Sequence, residues 1–176
     1  MALAFGETVS GLTVDGREVR AAVIDEHAVR AAAGITLVLG AIAFAKAYLD
    51  ADYVPLRIVT VLFAIDFLLR VVAGLRLSPT GALARLLVRR RTPEWASAKP
   101  KRFAWTLGLA MSIAMATITN VGVRGLLPRT VCVVCLTLMW LESAAGICLG
   151  CEVHGLLVRR GWAAADPAYE ICAHGA

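Results

Sequence analysis

Long apolar runs separated by short polar stretches define the organisation of this chain. A helix needs about 20 apolar residues to cross a bilayer whose hydrocarbon layer is about 30 Å thick. Four runs come close to this length, at residues 31–49, 54–75, 103–123 and about 130–150. Buried helices of soluble proteins are usually shorter, so the pattern predicts transmembrane helices. With their polar ends included, we expect four helices over about residues 28–49, 54–75, 103–123 and 130–158.

Composition agrees with a membrane protein. Hydrophobic residues make up 59% of the chain and charged residues 18%, whereas soluble domains are about half apolar and about one quarter charged. We therefore predict an all-α, integral membrane four-helix bundle rather than a very apolar soluble bundle. A polar N-terminal segment (1–24), the membrane domain (25–160) and a C-terminal tail (161–176) follow from this division. Asp25, just before the first run, is a suitable N-cap for the first helix.

The basic residues indicate an orientation. The connection 76–102 carries eight basic residues against a single acid, Glu94. The positive-inside rule places such a loop in the cytoplasm, together with the N-terminus and the C-terminus. The positive net charge of the chain, +5, thus comes from this connection. Because the basic run is short and next to a membrane helix, we expect a lipid bilayer as partner and no nucleic acid.

Ionisable residues inside the predicted membrane helices are costly unless they are paired or hydrated. Asp66 and Arg70 are four residues apart and can pair on one helix face, whereas Glu142 has no partner within its own helix. One interpretation is a proton or polar-ligand site between the second and fourth helices. The other is a structural polar contact that fixes helix packing. Arg57 and Lys46 can extend to the outer interface.

Two Cys-x-x-Cys pairs lie in the last apolar run: Cys132 with Cys135, and Cys148 with Cys151. On one straight helix, a rise of 1.5 Å per residue separates the pairs by about 24 Å, which excludes direct exchange and a joint metal site. Cys132 and Cys135 form the outer pair, which follows the predicted helix start, where the helix dipole favours a thiolate. The pattern therefore predicts thiol–disulfide chemistry. The alternative is that these cysteines only pack as small apolar residues.

The inner pair has a distinctive setting. Gly146 and Gly150 form a G-x-x-x-G pattern, which lets another helix approach closely beside Cys148. Cys148, Cys151 and His154 follow in steps of three, and they could share a metal only if the helix tightened toward 3₁₀ geometry. We therefore favour no metal site, with these three as the weak candidates. Cys172 and His174 in the tail are further candidates for metal binding or thiol exchange.

Several segments resemble one known family. They are "DEHAVR", "SPTGALAR", "PKRFAWTLGL" and "GICLGCE" followed by "LLVRR", and together they are similar to a bacterial integral-membrane family, domain of unknown function 4395. The resemblance covers about residues 23–160. It implies a four-helix protein of the bacterial inner membrane, often associated with thioredoxin-like proteins and sulfurtransferases. It implies no catalytic residues.

The segment "TVCVVCLTLMW" is similar to the last helix of the vitamin K epoxide reductase family. In that family a Cys-x-x-Cys lies beside a quinone, so this resemblance implies a redox pair at Cys132 and Cys135 and a quinone as electron acceptor. The family's shuttle cysteines after the first helix have no counterpart here. A separate thiol partner would have to take their place.

These observations lead to a functional expectation. We expect a membrane-embedded thiol–disulfide redox or sulfur-handling component, with catalytic candidates Cys132, Cys135, Cys148 and Cys151. Whether it is an enzyme stays open. One alternative is a non-enzymatic membrane subunit or scaffold. Another is a transporter of a small sulfur anion, which would use Arg57, Arg70 and Glu142 and would need a homodimer for a wide enough pathway.

Overall fold

The structure is a computed structural model that describes Gly6, Thr13–Val14, Arg17–Glu18 and residues 22–163. The predicted tail site at Cys172 and His174 lies outside these residues. Most of the predicted segment 1–24 also lies outside them. All positions that carry the chemistry discussed below are described.

The described chain is mostly helical, which confirms the all-α prediction. Its helices are α1 (Glu26–Leu49), α2 (Val54–Ala73), α3 (Pro79–Val88), α4 (Ala98–Asn120), α5 (Leu126–Trp140) and α6 (Leu149–Arg159), with a π turn at Leu141–Ala145 between the last two. Two small antiparallel pairings accompany them: β1 (Thr13–Val14) with β2 (Arg17–Glu18), and β3 (Val23–Asp25) with β4 (Trp95–Ser97). The order along the chain is β1, β2, β3, α1, α2, α3, β4, α4, α5, π turn, α6.

Length and apolar composition are sufficient for membrane crossing in three of the described helical segments. These segments are Glu26–Leu49, Ala98–Asn120 and Leu126–Ala145. Helix α2 is also 20 residues long, but it carries Arg57, Asp66 and Arg70. Many leucines, isoleucines and valines on these helices are exposed to the surroundings of the protein. Such a surface is typical of a membrane protein.

Small residues let the long helices approach one another. On α1, Ala28 and Ala32 are buried against Phe67 of α2 and Trp105 of α4 in one apolar cluster. A second cluster lies farther along α1, where Ala43 and Ala47 contact other helices. Gly108 of α4 faces Phe67, and a Cβ at this glycine would lie 2.6 Å from the ring. The close approach therefore requires glycine at position 108.

The β3–β4 pairing brings the first turns of α1 and α4 together. Val23 pairs with Ser97 and Asp25 with Trp95. Asp25 is the N-cap of α1, as predicted, because its carboxylate accepts a hydrogen bond from the backbone N–H of His27 at 3.1 Å. The same Oδ1 accepts one from Glu94 N at 3.3 Å. Glu26 at the start of α1 and Lys101 in the first turn of α4 are thereby placed at the same end of the bundle.

Two predicted helices differ from the observed ones. The third begins at Ala98 rather than 103, so Lys101 belongs to α4 and not to a loop. The predicted continuous helix 130–158 is wrong, because α5 begins at Leu126 and the helical path is interrupted between Ala145 and Leu149. Gly146 has a φ of 69°, a left-handed conformation that glycine adopts without strain. Arg30 stabilises the interruption by donating a hydrogen bond to the Ala144 carbonyl at 3.2 Å.

Candidate active site: a thiol pair beside a buried ion cluster

An apolar cavity of about 430 Å³ lies between α2, α4, α5 and α6. Cys132 and Cys135 line it from α5, and Cys148 lines it from the start of α6. Among the described residues on its wall, Glu142 is the only carboxylate. The cavity has the size and the apolar character of small-molecule sites in proteins. Three of the four predicted cysteines therefore line one cavity, although the helix between the two pairs is interrupted.

Cys148 and Cys151 form a compact thiol pair at the start of α6. Cys148 is the N-cap, with φ −95° and ψ 95°, and its carbonyl accepts hydrogen bonds from Cys151 N at 3.0 Å and Glu152 N at 3.1 Å. The Cys151 thiol donates to Cys148 Sγ across 2.7 Å. Both cysteines are free thiols. An S–S bond measures about 2.05 Å, so the two sulfur atoms need only a small movement for an oxidant of two electrons to convert them to a disulfide.

The sequence predicts a helix start beside Cys132 and Cys135, but in the structure Cys148 and Cys151 are the pair that lies at a helix start. Because α5 begins at Leu126, Cys132 lies in its second turn, beyond the first turn where the dipole acts. Cys148, at the N-cap of α6, is where partial positive charge is concentrated. Cys132 and Cys148 are equally buried, at 8% exposed, but only Cys132 belongs to the apolar cluster with Met115 and Leu56. The environment of Cys132 is therefore the less suited of the two to hold a thiolate.

A buried ion cluster lies next to the inner pair. Lys101 Nζ lies 2.9 Å from Glu26 Oε1 and 3.4 Å from Glu142 Oε1. Lys101 is 5% exposed, Glu26 3% and Glu142 7%. Glu142 has no partner within its own helix, as predicted. Its partner is Lys101 of α4. Charges in such a place persist only when they are paired.

Close packing of α6 on α4 brings the cysteines into the field of Lys101. Gly150 faces Ala104, where a Cβ at Gly150 would lie 2.5 Å from Ala104 Cβ. The expected close helix approach beside Cys148 thus occurs at Gly150, whereas Gly146 ends the π turn. The Lys101 ammonium acts electrostatically on both Cys148 and Cys151. The hydrogen bond to Cys148 and burial raise the pKa of the Cys151 thiol, so Cys151 keeps its proton.

Asp66 and Arg70 form a second buried polar network. Arg70 Nε lies 2.8 Å from Asp66 Oδ2, and the guanidinium also donates to Thr80 Oγ1 at 2.6 Å and Thr36 Oγ1 at 3.2 Å. Thr80 donates its hydroxyl proton to Asp66, and its backbone N–H donates to Asp66 Oδ1 at 3.1 Å. The predicted pairing on one helix face is present. Its contacts hold the first turn of α3 against α1 and α2, as a structural polar contact would.

Other candidate residues are engaged elsewhere. Arg57 Nε donates to the Thr119 carbonyl at 3.1 Å, and Lys46 pairs with Asp50 at 2.8 Å. His154 is buried, with its ring 5.4 Å from that of Phe103. Helix α6 is regular, and within residues 22–163 no group of three His, Cys, Asp or Glu side chains comes together for a metal.

Sequence reasoning missed Glu26 and Lys101. Glu26 reads as a first-turn acid of α1, and Lys101 reads as one of many charges in a basic loop. A signal was available for both: each lies next to an apolar run at a predicted helix start on the same side of the bundle. Their contact depends on the β3–β4 pairing, which single-chain hydropathy does not show.

Comparison with known proteins gives one result that covers most of the chain. No curated protein and no solved structure matches it, and the similarity of "TVCVVCLTLMW" to vitamin K epoxide reductases stays a prediction. A family model matches residues 24–159, a range that contains both cysteine pairs, Glu26 and Lys101. The chain belongs to the family described as domain of unknown function (DUF4395).

Proposed function

We propose that this protein is a membrane-embedded thiol–disulfide component in which Cys148 and Cys151 are the exchanging pair, and that it acts with a thioredoxin-like or sulfurtransferase partner. The observation that carries the proposal is the 2.7 Å contact between the two sulfur atoms at the N-cap of α6. A dithiol at a helix start, next to a cation, is the arrangement that favours one thiolate and reversible disulfide formation.

The exposures of the two sulfurs suggest a direction of attack. Cys151 is half-buried, whereas Cys148 is buried and faces the cavity. With the pair oxidised, a partner thiolate would attack Cys151 Sγ, the S–S bond would break, and Cys148 would leave as a thiolate. The start of α6 and Lys101 would stabilise that charge. The partner's second thiol would then attack the mixed disulfide, which leaves the partner oxidised and both cysteines reduced.

Reoxidation requires an acceptor of two electrons and two protons. A quinone meets this need, since one quinone and one dithiol give one quinol and one disulfide. The apolar cavity at Cys148 offers a suitable space, and its carboxylate, Glu142, could take part in proton transfer. Cys132 and Cys135 line the same cavity, so the proposal includes them as a second pair that the same acceptor would reach.

The proposed topology has four membrane helices in the inner membrane of a bacterium. They are α1, α2, α4 and α5 with the π turn, and α6 would lie at the cytoplasmic interface with both termini inside. The basic residues of 76–102 support this orientation. The charges of α2 do not oppose membrane insertion, because Asp66 and Arg70 neutralise each other and Arg57 contacts a backbone carbonyl at the end of α4. The proposed anion transporter has less support, because Arg57 and Arg70 are both engaged.

Trapping of thiol states in intact cells tests the function. Rapid acid quenching and alkylation before and after reductant should reveal a Cys148–Cys151 disulfide. In the Cys148→Ser variant, Cys151 should attack the disulfide of an oxidised partner and stay joined to it, because Cys148 is no longer there to release that partner, which mass spectrometry would identify. Cys135→Ser is the matched control and should not trap that partner. If Cys148 and Cys151 stay reduced under oxidising and reducing growth, a scaffold role for the protein is favoured instead.

A further inference from the structure

Helix α3 has three distinct faces. Thr80, Gly81 and Ala84 are buried against the bundle. At about 100° per residue, Leu83, Leu86 and Leu87 fall together on a second face, with exposures of 47%, 56% and 65%. A third face carries Arg85, and the exposed Arg89, Arg90 and Arg91 follow directly after the helix ends at Val88. A helix with a leucine stripe outside its packed face and arginines beside and after it is amphipathic toward its surroundings.

The position of α3 keeps both outer faces at the surface of the bundle, directly after the end of α2. Only residues 74–78 separate its start from α2, and Leu77 in this connection is 54% exposed. Ala84 packs in the cluster with Ala28 and Ala32 in the first half of α1, and the Asp66–Arg70 network holds Thr80 at the other end of the helix. The helix is thus fixed to the bundle along its buried face and cannot turn its leucines inward.

We propose that α3 is a lipid-binding element that lies in the membrane interface, with Leu83, Leu86 and Leu87 among the acyl chains and the arginines on the headgroups of anionic phospholipid. The leucine stripe identifies a lipid surface rather than an acidic protein, because the preceding helix α2 also exposes apolar residues, such as Val72, up to its end. The arginines identify anionic lipid, since basic residues beside an interfacial helix are attracted to negative headgroups. The proposal is independent of the thiol chemistry.

Reconstituted protein tests the headgroup preference. Full-length protein would be placed in nanodiscs of phosphatidylcholine with phosphatidylglycerol, and retained lipids would be counted by native mass spectrometry. Replacing Arg89 and Arg90 by Gln should reduce the preference for phosphatidylglycerol by on the order of tenfold. Replacing Arg124 and Arg129 by Gln is the same charge change at two arginines that stack on Tyr53 and Tyr48, and it should have a much smaller effect. Equal lipid preference in wild type and the Arg89/Arg90 variant would overturn the proposal.

A photo-crosslinking amino acid distinguishes lipid from protein as the occupant. Benzoylphenylalanine in place of Leu87 should crosslink to phospholipid in cells and nanodiscs, and the same group in place of Ala82, on the arginine side, should do so less. Because both positions are exposed, folding should tolerate the replacements. A protein adduct at position 87, or equal lipid labelling at both positions, would contradict the inference.

Discussion

Gly150 of α6 and Ala104 of α4 lie so close that a Cβ at position 150 would be 2.5 Å from Ala104 Cβ. This contact fixes the distance between the cysteine pair, which begins α6, and Lys101, which lies one turn before Ala104. One hydrogen atom in place of a side chain thus determines whether the thiols lie in the field of the ammonium.

Gly150→Ala should therefore push α6 away from α4. Overpacking of this kind costs about 1–3 kcal/mol, so we expect a lower unfolding temperature and slower disulfide formation between Cys148 and Cys151. Gly155→Ala is the matched control, because nothing lies within 4 Å of a Cβ at that position. The measurements are thermal unfolding in detergent and the rate of oxidation by a small disulfide. Equal behaviour of the two variants would mean that α6 is not held by this contact.

Lys101→Met should be strongly destabilising. It leaves Glu26 and Glu142 buried without their shared cation, and breaking a buried ion pair in this way costs about 3–5 kcal/mol. Lys46→Met removes the cation of an exposed pair and should change the stability of the protein little. Denaturant unfolding checks both.

A second variant separates the loss of charge from the loss of packing. Combining Lys101→Met with Glu142→Gln and Glu26→Gln removes the unpaired charges, and it should recover part of the lost stability. Disulfide formation between Cys148 and Cys151 should be slower than in the wild type in both Lys101→Met variants, because the cation beside the thiols is absent. Failure of the added substitutions to restore any stability would show that Lys101 acts there mainly through packing.

Thr80→Val should loosen α3 without unfolding the bundle. The hydroxyl both donates to Asp66 and accepts from Arg70, and leaving such buried groups unpaired costs about 1–3 kcal/mol. Hydrogen exchange should increase in residues 79–88 first. Thr137→Val, which loses only an exposed bond to the Val133 carbonyl, should leave exchange in α3 unchanged. Uniform exchange changes across all helices would contradict a local role of Thr80.

The reactivity of Cys151 should depend on Cys148. The hydrogen bond to Cys148 and burial raise the pKa of Cys151, so its alkylation by iodoacetamide should be slow at neutral pH in the reduced protein. Cys148→Ala removes the acceptor, lowers the pKa of Cys151 and should speed its alkylation. Cys135→Ala is the control and should leave the rate at Cys151 unchanged.

The same shift has a stability consequence with a definite sign. A thiol whose pKa is higher in the folded than in the unfolded chain stabilises the fold at pH values below the ordinary thiol pKa. This contribution is lost as the pH rises through about 8.5 and above. Unfolding temperature should therefore fall more steeply with alkaline pH in the wild type than in Cys148→Ala. Parallel curves would argue against the hydrogen bond.

Much of the fold could be predicted because hydropathy reflects local physics. The bounds of α2 and the N-cap Asp25 follow from apolar periodicity and capping chemistry, and both agree with the structure within a few residues. The start of α4 could not be predicted in this way, because Lys99, Lys101 and Arg102 read as loop while Lys101 is neutralised by residues distant in sequence.

The candidate site was predicted only in part for the same reason. The cysteine pairs are visible as motifs, but the interruption before Cys148 depends on a left-handed Gly146 and on Arg30 from another helix. An apolar run looks the same whether its helix continues or stops. Consequently the sequence assigned the helix-start environment to Cys132, although Cys148 has it.

The interruption at Gly146 leaves Cys132 and Cys135 on α5 and Cys148 and Cys151 at the start of α6. The positions of the two pairs can therefore change independently. Adding or removing one residue within α5 would turn Cys132 and Cys135 by about 100° about the axis of that helix. The inner cysteines would keep their position, because α6 is fastened to α4 through Gly150. Insertions, deletions or substitutions in α5 can therefore reorient or remove Cys132 and Cys135, while the geometry of Cys148 and Cys151 is preserved.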